Sequence, residues 1–211
     1  MGKQARNMHR AADHAVAREA AMRSSRRRRH LPWWIAVGVV VVVAAVTVPL
    51  VLTSGHMAKR AGLTGLQVFA ETDHKHVVGS VTYDRTPPAG GAHNAVWQNC
   101  GIYAEPVQNE HAVHSIEHGA VWITYRPDLS PAAISELQGL VRSRAVGSQG
   151  YLLLSPYPGL MSPVVASTWG AQIGLDGPGD PRLVAFVNRY VGGGQGGERG
   201  GECTGGTGSP L

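Results

Sequence analysis

Three of the chain's ten histidines, His111, His114 and His118, fall inside HAVHSIEHGAVW (residues 111–122), with Glu117 beside the last. Imidazole changes charge near neutral pH and is the commonest metal ligand, so such a cluster points to metal binding or proton movement. Seven histidines lie beyond residue 53, and six of them fall between residues 74 and 118. On a helix, His114 and His118 stand four residues apart and share a face, where two rings can grip one ion. Neutral imidazole suits zinc, copper, iron and nickel. His93 follows the flexible PPAGG loop and His76 opens a strand-like run, which makes them the third and fourth ligands of the set. Glu117 is placed to orient one of the ligand rings from behind or to pair with an arginine. His74, Cys100 and the thioether of Met161, the last suited to Cu(I), are additional candidates, and the expected ion is copper or zinc. His56 and His111 read as ordinary surface histidines.

Two other functions compete with a metal-handling or small redox role. One is a metal-free, membrane-tethered interaction module whose histidines serve hydrogen-bonded structure or pH sensing. The other is a zinc hydrolase, because HSIEH (114–118) matches H-x-x-E-H, in which two histidines bind zinc and the glutamate activates water. Gly119 ends any helix directly after that motif, and the body is small for a peptidase. Ser115 adjoins His114, but nothing resembles G-x-S-x-G, and there is no phosphate-binding glycine loop between a strand and a helix.

The surrounding chain sets where this cluster operates. Residues 1–32 hold nine Lys or Arg against Asp13 and Glu19, a balance of +7, while the rest holds ten against twelve, a balance of −2. The basic arm abuts the uncharged run Trp33 to Thr53, about the ~20 residues that span a bilayer as a helix. Arg26 to Arg29 precede the run, so the positive-inside rule puts the arm in the cytoplasm and the remainder outside. The run is long and its flank fits a cleavage site poorly, which favours a retained anchor over a signal peptide. The bilayer, rather than nucleic acid, is therefore the expected partner of the basic charge. The expected localisation is the cell membrane, single-pass. Outside the cytoplasm Cys100 and Cys203 are free to form a disulfide, the single intramolecular pairing they allow.

Residues 54–66 read as a linker, 67–191 as the folded body, and the glycine-rich 192–211 as a tail without enough apolar surface to fold. Within the body, His76 to Tyr83, Ala120 to Tyr125, Tyr151 to Leu154 and Val164 to Trp169 carry strand patterns. Ser130-Pro131 and Asp180-Pro181 are helix-start signals. Apolar stripes follow each: Ile134, Leu137, Leu140 and Val141, then Leu183, Phe186, Val187 and Tyr190. The sum is an α+β domain with a small, largely antiparallel sheet and about two packed helices, preceded by one transmembrane helix.

PPAGGAHNAVWQNCGIY (87–103), VHSIEHGAVWITY (113–125), LSPYPGL (154–160) and VVASTWG (164–170) together resemble the DUF3105 family, a bacterial family of unknown function often carrying an N-terminal membrane segment. The resemblance covers roughly Gln67 to Tyr190. The resemblance implies a recognised domain type containing His93, Cys100, His114, Glu117 and His118, and brings no activity, cofactor or catalytic residue with it.

Overall fold

The computed structural model describes residues 62–144, 150–193 and 195–211. The arm, the apolar run Trp33 to Thr53, His56 and most of the linker lie outside the described residues. Among the described residues, no helix is long and apolar enough to cross a membrane.

The described residues form six strands and three helices in the order β1 (Gln67–Val68), β2 (Gly101–Ile102), α1 (Asn109–Glu117), β3 (Val121–Tyr125), α2 (Pro131–Arg144), β4 (Leu152–Pro156), β5 (Val164–Thr168), β6 (Ala171–Leu175) and α3 (Pro181–Tyr190). One sheet runs β1-β6-β5-β3-β4-β2. Its pairs from β1 to β3 are antiparallel, whereas β3–β4 and β4–β2 are parallel. The sheet is therefore mixed rather than largely antiparallel. The reason is α2: a 14-residue helix between β3 and β4 carries the chain back to start β4 alongside β3, which only a crossover of that length permits.

Side-chain alternation splits the sheet into two unlike faces. Val121, Ile123 and Tyr125 of β3, with Leu152 and Leu154 of β4, join an apolar core against Leu137 and Val141 of α2 and Leu183, Phe186 and Val187 of α3. Asp180 caps α3, its carboxylate accepting from Arg182 N at 2.9 Å, and Pro181 fills the first helical position. Leu63 and Leu66 also pack on this core, so the body reaches back into the segment read as linker. On the opposite face Trp122, Leu153, Trp169 and Tyr151 meet Val113 and Ile116 of α1. That face also buries hydroxyls. Trp122 Nε1 donates to Ser155 Oγ at 3.0 Å, and Gln172 Nε2 to Ser167 Oγ at 2.9 Å.

Three local expectations change. His76 to Tyr83 is not a strand: only His76 makes a bridge, to His93, while Val78 is fully exposed and Gly79 adopts φ 96°. A left-handed glycine interrupts an extended run, and Val78 has no face on which to bury. β1, β2, β6 and α1, three strands and one helix, fall outside the elements that the sequence patterns marked. The tail is not free: it crosses the α1 side of the sheet and is joined there by the Cys100–Cys203 disulfide, with Cα atoms 5.3 Å apart.

Candidate metal centre

α1 supplies His114, Glu117 and, at its C-terminal cap, His118. The helix stops because Gly119 takes φ 106°, a conformation glycine reaches without strain, and Gly119 N returns to Ile116 O at 3.2 Å. The chain then enters β3 directly, which fixes the helix end against the sheet. The 87–98 loop wraps the start of α1: Asn94 N donates to Glu110 O, Gln98 N to His111 O, and Ser115 Oγ to Gln98 O at 2.7 Å. His93 sits in that loop and zips onto the 75–77 segment, Val77 N donating to His93 O at 2.7 Å. That pairing sets His76 beside His93.

Each ring of the central trio is fastened at Nδ1. His93 donates to Gly91 O (2.8 Å), His114 to Asn94 O (2.7 Å) and His118 to Glu202 O (2.6 Å). A carbonyl oxygen only accepts, so each Nδ1 carries the proton; in neutral His93 and His114 the Nε2 then keeps a lone pair, whereas His118 Nε2 lies at hydrogen-bond distance, 3.2 Å, from Glu198 Oε2. This is the tautomer of a ring that ligates metal through Nε2. His93 and His114 are buried, and neither Nε2 has a hydrogen-bond partner. His93 Nε2 lies 2.9 Å from Glu117 Oε2, but the alignment is not that of a hydrogen bond, so two electron-rich atoms face each other. His114 Nε2 similarly faces Glu198 Oε2 at 3.5 Å. Burial is the main force holding the His93 and His114 rings below the ordinary imidazole range and so neutral. Burial works against the charge on Glu198, but the hydrogen bond from His118 and the nearby His114 ring outweigh it and keep the carboxyl low.

The donors form two groups that share one member. His76, His93, His114 and Glu117 place ligand atoms within 4.8 Å of one another, and so do His114, His118 and Glu198. The single pocket expected for His76, His93, His114 and His118 is thus divided, with His118 on the Glu198 side. Glu117 is 1 % exposed; one oxygen faces His93 and the other pairs with His74 Nδ1. It therefore stands among the candidate ligands, and His74 is the residue that braces it. His74 in turn stacks on Trp169 with ring centroids 4.7 Å apart, and Trp97 packs against His114 and His118. His111 belongs to neither group and donates from Nδ1 to Val96 O. Cys100 is tied in the disulfide and Met161 is 96 % exposed, so neither joins the cluster.

Glu198 and the tail that carries it escaped the sequence reading. Gly196 passes so close to Glu117 that an added Cβ would lie 2.1 Å from Glu117 O, and a Cβ on Gly201 would lie 2.7 Å from the His118 ring. Gly200 N donates to His118 O at 3.0 Å, and Thr207 N to Trp97 O at 2.9 Å. The signal was the pair of glutamates, Glu198 and Glu202, standing just before Cys203 among glycines that the close approach requires.

A mixed-sheet α+β domain with a buried histidine–carboxylate cluster under a glycine-rich strap is the class that fold and site define. The chain matches DUF3105, described as a protein of unknown function, over residues 74–205, and it belongs to that family. The matched span ends inside the strap and takes in Glu198 and Cys203. No curated protein and no solved structure matches the chain.

Proposed function

We propose that this domain binds a divalent transition-metal ion in the cluster centred on His114, and that it does so tethered to the outer side of a membrane. The observation carrying the metal reading is the set of Nδ1-anchored rings whose Nε2 lone pairs face carboxylate oxygens with no proton between them. A cation is the species that turns that arrangement from repulsive to cohesive. With Cys100 bridged and Met161 distant, the donors are imidazole and carboxylate, which favours Zn(II) or Cu(II) over Cu(I). Such an ion would serve in metal handling or supply a redox centre when it is copper.

The hydrolase alternative is less well supported, because Glu117 groups with His76, His93 and His114 rather than with the His114–His118 pair, and one of its oxygens is paired with His74. A metal-free module would pair or expose its buried Nε2 atoms, since an unsatisfied buried polar atom costs about 1–3 kcal/mol.

Calorimetric titration with zinc and copper tests the proposal. His114→Ala is expected to weaken binding by at least about 10–100-fold, the loss typical of disturbing even a ligand's supporting shell, while His111→Ala leaves it unchanged. Affinity falls as the pH drops below about 6.5 toward the lowered range of the buried His93 and His114 rings, where protons compete for the ring nitrogens. Equal losses in both variants, or no binding by the unmutated chain, would favour the interaction module.

The tether rests on the uncharged run Trp33 to Thr53 and the arginine block before it, and the disulfide fits an oxidising compartment. A reporter fused after Leu211 and active only outside the cytoplasm is the expected result; a reporter active only in the cytoplasm refutes that topology.

A further inference from the structure

His114 belongs to both donor groups, yet it has one lone pair to give. Its Nδ1 proton is committed to Asn94 O at 2.7 Å, and only Nε2 faces the cluster. A neutral imidazole nitrogen binds a single ion, because its one lone pair lies in the ring plane and points one way. The other donors do not merge into one site, since His118 and Glu198 fall in one group and His76, His93 and Glu117 in the other.

We infer that the cluster offers two mutually exclusive positions for one divalent cation, an outer position at His114, His118 and Glu198 and an inner position at His76, His93, His114 and Glu117. The inference rests on the metal reading above and adds a direction of travel. The outer position is reached first, because Glu198 stands half exposed on the strap, its side chain 51 % accessible. Its carboxylate is a hard, charged donor that attracts a hydrated cation from solution. The inner position is the retaining one: it has four donors rather than three, and its carboxylate is buried and braced by His74. Moving inward exchanges His118 and Glu198 for His93, Glu117 and His76 while His114 stays bound throughout. The ion never has to return to water, so the step avoids full rehydration of the cation. Ring centroids of His114 lie 4.8 Å from His93 and 4.5 Å from His118, which makes the transfer a matter of a few ångströms about a common ligand.

Two exposed residues separate the positions without disturbing the core: His76 for the inner one and Glu198 for the outer one. The experiment is a cobalt(II) titration of the full chain in detergent, read by visible absorption, with uptake followed by stopped flow. The unmutated chain is expected to saturate at one equivalent. Glu198→Gln keeps that endpoint and its bands but takes up cobalt more slowly, by about tenfold, as loss of an attracting charge implies. His76→Ala still binds one equivalent, with altered bands and faster release on adding a chelator. Saturation at two equivalents, uptake by Glu198→Gln at the unmutated rate, or unchanged bands in His76→Ala would overturn the two-position account while leaving metal binding intact. Absence of cobalt binding by the unmutated chain would remove the metal reading itself, and this inference with it.

Discussion

The two faces of the sheet are covered by different means. One lies under α2 and α3, whose apolar stripes interlock with β3, β4 and β5. The other lies under a nine-residue helix, an irregular loop and a glycine-rich strap held by backbone hydrogen bonds and one disulfide. Among the described residues, every candidate ligand belongs to the second face. Apolar burial is non-directional and holds the fold wherever areas match. Ligand lone pairs must be aimed, and here backbone carbonyls from loop and strap aim them.

The contrast can be broken from either side. Phe186→Ala removes a fully buried ring from α3. It should cost about 3–5 kcal/mol in chemical denaturation, the usual range for such truncations, with the metal affinity of the molecules still folded unchanged. A shift in affinity comparable to that of His114→Ala would show that the two faces are not separable. Removing the disulfide with Cys100→Ser and Cys203→Ser should cost somewhat less, about 2–4 kcal/mol, for a link spanning 103 residues. Hydrogen exchange should then show lost protection in residues 195–211 while β3 to β5 stay protected. Uniform loss across the sheet would contradict a strap that opens by itself.

The two helices of the first face were legible in the sequence. Pro131 and Pro181 marked two helix starts, and the stripes through Leu137 and Phe186 marked what those helices bury, because local capping and periodicity lie in consecutive residues. The pairing of β3 with β4 was not readable, since strand direction depends on where the intervening helix deposits the chain. On the other face, the spacing of His114 and His118 correctly placed them together at one helix end. Their division between two donor groups depends on His93 and Glu198, which arrive from distant segments. The tail misled because composition alone reads glycine as flexibility. At Gly196 and Gly201 the glycines are there for close approach, and the disulfide holds down a segment whose own side chains would not.

That last point makes a smaller prediction. Gly196→Ala places a methyl carbon against the backbone oxygen of Glu117. A cost of about 1–3 kcal/mol is expected for forcing an extra carbon into a packed site, measured as a lower denaturation midpoint together with weaker metal binding. Alanine tolerated with no change in either quantity would mean that the strap does not rest on the cluster.

The smallest effect is on the metal-free protein's response to acid. His93 and His114 have their proton affinities lowered in the folded state, chiefly by burial. The unfolded chain takes up protons at these rings below about 6.5, whereas the folded chain resists until the pH is lower. Stability is therefore complete above about 6.5 and declines as the pH falls from there toward the folded values. Thermal melts at a series of pH values should show Tm falling across that window, with a shallower fall for His114→Gln. An identical slope in that variant would deny His114 its share.

X-ray absorption at the zinc edge of the untagged, zinc-loaded chain tests the central claim most directly. A first shell of nitrogen and oxygen at about 2.0–2.1 Å with imidazole outer-shell scattering is the predicted result. Sulfur scattering at about 2.3 Å, or an oxygen shell without imidazole, would contradict a site built from His114 and its neighbours.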